Sequence, residues 1–261
     1  LAGAVFAMEV LVVGRLQYVA MMPVLFASGV ADFTYMAWGT HHTDYAFKVA
    51  GIEVFDAMLL LKVALAGLAF GWVARFYAEL AHGIQHLVGR AVAYAPLRPG
   101  LGGLVVITMA YALGSRDYLS LGVDLCPGGQ VSIVDSFHVG GATSWSWLWK
   151  TFFTAVTSGT GFKGGEVTPL FFIGATLGNA IAVLLHEPVA LFAAFGFIAV
   201  FAGAVKTPLC CMVMGMELFG AQHAVYFAVV CYVAFYASGK SSIYLSQRLS
   251  PIGCTLRELH E

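Results

Sequence analysis

Five stretches of this chain, 16–31, 99–115, 167–186, 188–205 and 218–239, contain no Asp, Glu, Lys or Arg. A hydrocarbon core about 30 Å thick is crossed by roughly 20 helical residues at 1.5 Å each, so several of these runs are long enough, or nearly so, to span it. The whole chain agrees, being 60% hydrophobic and only 10% charged, where soluble domains run near a quarter charged. A β-barrel would show short alternating segments, and none is visible. The expected fold class is therefore all-α, a polytopic transmembrane helical bundle in a lipid bilayer. A net charge of −1 without any basic stripe gives no reason to expect nucleic acid as a partner.

The most informative stretch lies between two apolar segments: Gly161-Phe162-Lys163-Gly164-Gly165-Glu166-Val167-Thr168-Pro169-Leu170-Phe171-Phe172-Ile173-Gly174. It runs from a glycine-rich loop into a helix that the pair Thr168-Pro169 should start, because proline has no N–H to lose in a first turn. Gly164 and Gly165 permit close approach of the backbone to a ligand. The first N–H groups of a helix lack intrahelical acceptors, and the macrodipole adds positive potential, so such a start inside a membrane suits an anion. Yet Glu166 places a carboxylate where the anion would lie.

Around this centre, residues 1–31 read as two apolar helices broken near Gly14-Arg15 and restarted at Pro23. Residues 32–56 are mixed and read as an interfacial loop or shallow helix. The run 57–87 is long and amphipathic, with Arg75 and Glu79 four apart and able to pair. Leu97-Arg98-Pro99-Gly100 reads as a turn before a helix over 101–113, and 114–142, with Cys126-Pro127-Gly128-Gly129, as an irregular loop. Trp145, Trp147 and Trp149 followed by Lys150 read as an aromatic belt at a membrane surface. Beyond the central motif, Gly174-Ala175-Thr176-Leu177-Gly178 is a small-xxx-small pattern that permits close helix contact. Lys206-Thr207-Pro208 then interrupts two apolar runs, 222–239 reads as a further crossing, and a short charged tail with Arg248, Arg257 and Glu258 ends the chain.

The five cysteines, Cys126, Cys210, Cys211, Cys231 and Cys254, have no metal-ligand spacing and read as small packing residues. His41, His42 and Asp44 lack a third spaced ligand, so neither a metal nor a cofactor is expected. The chain starts at Leu1 with no signal peptide and reads as a fragment. One internal echo is present: residues 1–9 and 209–217 agree at Leu1 and Leu209, Val5 and Val213, Met8 and Met216, Glu9 and Glu217. Transporters built from inverted repeats carry such echoes.

At Gly164-Gly165-Glu166-Val167-Thr168-Pro169, with Ile173 to Gly178 following, and at Gly203-Ala204-Val205-Lys206-Thr207-Pro208 with Glu217 downstream, the sequence resembles the CLC family of chloride channels and anion/proton antiporters. The Glu and Thr inside the signature depart from the usual chloride pattern and are similar to the bacterial fluoride-selective branch, the CLC-type fluoride/proton antiporters. The resemblance implies a CLC-type inverted-repeat architecture, with 1–56 ending the first half-repeat and 57–261 forming the second within one membrane domain. The signature with the gating glutamate is absent, so the first half of the anion site is expected from elsewhere in the protein, and this chain alone is not expected to transport.

By resemblance, Gly165, Glu166, Val167, Thr168, Phe201 and Tyr244 are the anion-binding candidates. Glu166 doubles as the proton-transfer group, Tyr244 is placed in a last helical segment, and Phe201 is the match to a pathway phenylalanine. Each has a plainer reading. Glu166 would cap the helix or pair with Lys163, Thr168 would cap, Tyr244 would be an interfacial aromatic, and Phe201 would be core. The function expected is fluoride/proton antiport, not enzymatic catalysis, in a homodimer at the inner (plasma) membrane, with regions 16–31 and 209–236 as interface candidates. The alternatives are a chloride channel or chloride/proton antiporter of the same fold, an intramembrane enzyme using Glu166 with His41, His42 or His138, and an assembly subunit.

Overall fold

The computed structural model of the chain describes residues 1–39, 56–119, 121–123, 129–244 and 247–249. The His41, His42 and Asp44 cluster, Cys126, Cys254, Arg257 and Glu258 lie outside them. Nine α-helices run among the described residues: α1 (Ala2–Glu9), α2 (Met21–Ala37), α3 (Ala57–Ala91), α4 (Leu97–Leu113), α5 (Ser146–Gly159), α6 (Val167–Leu185), α7 (Val189–Val205), α8 (Pro208–Phe219) and α9 (Ala224–Ala237). Two-residue strands β1 (Val12–Val13) and β2 (Arg248–Leu249) pair in parallel. The segments Tyr18–Ala37, Ala57–Ala91 and Val167–Leu185 are long and apolar enough to cross a membrane.

α7 is apolar on every side, and such a helix must be enclosed by others. Only Ala190 of its residues escapes burial, and α3, α6, α8 and α9 surround it. The α6–α7 contact is made backbone to backbone. A Cβ on Gly174 would lie 2.1 Å from the Gly196 carbonyl oxygen, and one on Gly178 would lie 2.1 Å from that of Phe192. The small-xxx-small pattern read from the sequence thus has its partner in α7. Between the two helices, His186 takes a left-handed conformation that closes α6, and Glu187 pairs with Lys62 of α3.

The corner between α7 and α8 is built on Lys206, also left-handed at φ 64°. Its ammonium is 1% exposed and donates to Ser238 Oγ at 2.6 Å and to the Gly239 carbonyl at 2.7 Å. Thr207 and Pro208 then start α8, with proline in the first turn where its missing N–H is harmless.

The echo between 1–9 and 209–217 has a physical counterpart. The Glu9 carboxylate accepts from the N–H groups of Leu209 (3.1 Å) and Cys210 (2.8 Å) at the start of α8. Glu217, the matching residue of α8, accepts from the N–H of Ala2 at 3.0 Å at the start of α1. Each helix caps the other through equivalent positions, and negative charge at both starts is favourable.

Four local expectations are corrected. The stretch 97–100 is the first turn of α4, because Pro99 in that turn has no intrahelical N–H to lose. α2 continues past Asp32 to Ala37, an acid being tolerated on a helix with no buried residue. Lys150 leaves the aromatic belt: it is 1% exposed, donates to the Tyr118 carbonyl at 3.2 Å and lies 5.0 Å from the Phe172 ring centroid. Successive residues of a helix point about 100° apart, so Trp149 faces outward while Lys150 faces inward; Trp147 packs against the core. Lastly, Tyr244 is in an irregular segment and not in a helix.

Candidate functional site

α5 descends to Gly159, the chain turns through 160–166, and α6 begins at Val167, one residue before the expected start. Gly159 fixes the approach: a Cβ there would lie 2.8 Å from the Ile84 side chain and 3.0 Å from the Ala81 carbonyl of α3. No atom would meet a Cβ on Gly164 or Gly165 within 4 Å. The loop backbone therefore borders open space.

Glu166 occupies the N-cap position of α6 but makes no capping bond with its side chain. Its carboxylate instead turns to Ser158, whose hydroxyl donates to Oε1 at 2.5 Å. The N–H groups of Val167 and Thr168, in the first turn, have no intrahelical acceptor, and Pro169 has no N–H at all; the ladder opens with Leu170 donating to the Glu166 carbonyl at 3.3 Å. Thr168 is the second helical residue, so the capping role that would explain it most simply is not the one it fills.

The Ser158–Glu166 pair lies in the walls of two cavities. One, of about 350 Å³, has Lys150, Thr154, Lys163 and Gly165 around it. The other, of about 370 Å³, has His82, Gln85, Ile243 and Tyr244 around it. Tyr244 reaches this second cavity because its segment is tied back: Ile243 N–H donates to the Ala204 carbonyl at 3.0 Å, and Gln247 Nε2 to the carbonyls of Val205 (2.7 Å) and Val10 (2.9 Å). The chain thus brings Gly165, Glu166 and Tyr244 to the cavity walls, while Val167 and Thr168 offer backbone donors at the helix start.

Phe201 borders neither cavity. It is 4% exposed, lies edge-on to Phe171 at 5.1 Å, and stacks with Phe6 at 6.1 Å. Phe171, one turn into α6, stacks in turn on Phe197 at 4.1 Å. Phe201 therefore meets the α6 start through Phe171. His138 is exposed and also borders neither cavity; its carbonyl accepts from the Asn179 amide at 2.9 Å. Ser158, His82 and Gln85 are not legible as site residues, since nothing in a Thr-Ser-Gly-Thr run or on an amphipathic helix marks one member as facing a carboxylate eight or more residues away.

The profile described as voltage gated chloride channel matches residues 1–239. A chloride/fluoride channel protein of Pseudomonas syringae pv. tomato is 47% identical over 251 residues, covering 95% of this chain and 54% of the relative. A ClcB-like chloride channel protein of Ralstonia nicotianae is 28% identical over 269 residues, covering 94% of this chain and 57% of the relative. The crystal structure of a CLC-type fluoride/proton antiporter superposes with a TM-score of 0.88 at 33% identity, covering 95% of this chain and 61% of that one. The chain spans little more than half the length of the curated relatives it matches. With a family match over most of its residues and the antiporter fold shared throughout, this membrane chain belongs to the voltage-gated chloride channel (CLC) family.

Proposed function

We propose that the protein exports fluoride in exchange for protons, with the anion held at the start of α6. The observation that supports this most directly is Glu166: a carboxylate at a helix N-terminus that leaves the backbone donors uncapped and turns to Ser158 between two cavities. Fluoride is small and strongly hydrated, so its site must replace water with several strong donors. The backbone around Gly165, Glu166, Val167 and Thr168, the Thr168 hydroxyl and the Tyr244 phenol are the donors proposed here. Phe201 acts through Phe171, whose ring edge carries the positive part of the quadrupole. An ionised Glu166 and an anion cannot share this space cheaply, so anion occupancy and proton uptake by Glu166 are linked. The names of the Pseudomonas relative and of the antiporter support fluoride as a substrate.

The same reading divides the chain near residue 56, with 57–261 as the second half of an inverted repeat, and places a homodimer in the plasma membrane. The test uses the full-length protein in liposomes, with efflux recorded by ion-selective electrodes. Fluoride efflux that drives proton uptake, with little chloride movement, is the expected result, and Glu166→Gln should abolish or uncouple it. Unchanged proton-coupled efflux in that variant sinks the role of Glu166. Chloride flux of equal or greater size would return the protein to the chloride branch, a reading that the Ralstonia relative's name favours.

A further inference from the structure

Tyr77 stands on α3 one turn before Ala81, whose carbonyl Gly159 approaches, so it faces the last turn of α5. Its side chain is wholly buried at 0% exposure, and its hydroxyl makes no hydrogen bond of acceptable geometry. A buried hydroxyl without a partner is unfavourable, and native structures rarely leave one without a reason. The polar groups nearest this stretch of α3 are those of the site: Ala81, one turn on, shares the wall of the second cavity with Ser158, Glu166 and Tyr244, and the phenol lies within electrostatic reach of Ser158 and Glu166.

We infer that Tyr77 is a positioning residue for Glu166, its O–H donating to the Ser158 oxygen when Ser158 donates to the ionised carboxylate. This rests on the antiport reading of the site. A serine hydroxyl has one hydrogen and two acceptor lone pairs. The Ser158 hydrogen is committed to Glu166, which leaves the lone pairs for Tyr77. Donation by Tyr77 polarises the Ser158 O–H and strengthens its bond to the carboxylate. When Glu166 takes up a proton, the charge that drew Ser158 disappears and the chain slackens, leaving Tyr77 without a partner. Tyr77 keeps its own proton throughout. The other ionisable groups facing Glu166 are Tyr118, Lys150 and Lys163 across one cavity, and His82 and Tyr244 across the other.

A purely structural Tyr77 and a positioning Tyr77 differ in what Tyr77→Phe does to transport by the folded protein. Tyr77→Phe removes at most the one hydrogen bond to Ser158, so the fold is kept and stability changes by no more than about 1.5 kcal/mol. The inference adds a functional loss: in full-length protein in liposomes, fluoride efflux should fall roughly three- to tenfold, the effect of losing one hydrogen bond of ordinary strength. The protons taken up per fluoride should fall with it. Ser158→Ala should do the same, and the double variant should be no worse than Ser158→Ala alone, because the two hydroxyls act in series. A Phe variant with wild-type rate and coupling overturns the inference, as do simply additive effects of the two substitutions. Absence of coupled fluoride flux in the wild type sinks the antiport reading itself, and this inference with it; a coupled wild type beside an unaffected Phe variant sinks the inference alone.

Discussion

The reciprocal caps of α1 and α8 use the same residue type at equivalent positions, yet they should differ sharply in worth. Glu9 is 7% exposed and accepts two backbone N–H bonds, at 3.1 and 2.8 Å. Glu9→Ala strands both donors at a buried position, and each stranded donor costs about 1–3 kcal/mol. The sum is about 3 kcal/mol, allowing for partial relaxation of the α8 start. Glu217 has a side chain 39% exposed and accepts from Ala2 at 3.0 Å in contact with solvent. Water substitutes there, and an exposed charge at a helix start contributes only about 0.3–1 kcal/mol. For a domain of this size, 1 kcal/mol moves the thermal midpoint by roughly 2–4 °C. Glu9→Ala should therefore lower it by roughly 6–12 °C, and Glu217→Ala by no more than about 4 °C. Tryptophan fluorescence of the full-length protein in detergent during a thermal ramp reads both. Equal shifts, or a larger one for Glu217→Ala, would refute the claim that burial and not helix position sets the worth of these caps.

Three further changes probe other parts of the frame. Gly178→Ala puts a Cβ 2.1 Å from the Phe192 carbonyl oxygen, backbone against backbone, so α6 and α7 must separate. The expected loss is about 3 kcal/mol or more, read as a collapse of the monodisperse peak in size-exclusion chromatography. Gly164→Ala meets nothing within 4 Å and should leave the thermal midpoint within about 0.5 kcal/mol of wild type, which any larger shift contradicts. Lys206→Met deletes the bonds to Ser238 and Gly239 and should destabilise by about 3 kcal/mol, measured as the midpoint of the same ramp.

The order of helices was legible because charge placement is a one-dimensional property: gaps in Asp, Glu, Lys and Arg mark apolar helices, and Lys206-Thr207-Pro208 marks a corner whatever surrounds it. Gly174 and Gly178 were also legible, since small residues four apart imply a close neighbour, though not that the neighbour would be α7. Where a side chain points depends on partners far along the chain. Lys150 follows three tryptophans and reads as a surface cation, but the helix turn aims it at Phe172 and the Tyr118 carbonyl. Tyr244 is helical by resemblance to the family, whereas Gln247 and Ile243 tie its segment to Val10, Val205 and Ala204. The echo between 1–9 and 209–217 is faint as a set of matched letters, and only the crossed hydrogen bonds of Glu9 and Glu217 give those letters a physical reason.

The conflict between a helix start and a carboxylate at the same place is resolved by where Glu166 turns. A capping Glu166 would consume the donors of the first turn and leave α6 with nothing to offer a ligand. Directed at Ser158 instead, it leaves the Val167 and Thr168 N–H groups open and keeps its charge within the field of the same helix start. Ser158 can hold it there only because Gly159 lets the end of α5 lie directly against Ile84 and Ala81 of α3, a contact that a side chain at 159 would prevent. The chemistry at the α6 start thus depends on a glycine outside the recognisable motif. The packing of three helices, more than the motif itself, decides whether Glu166 caps a helix or stands between two cavities.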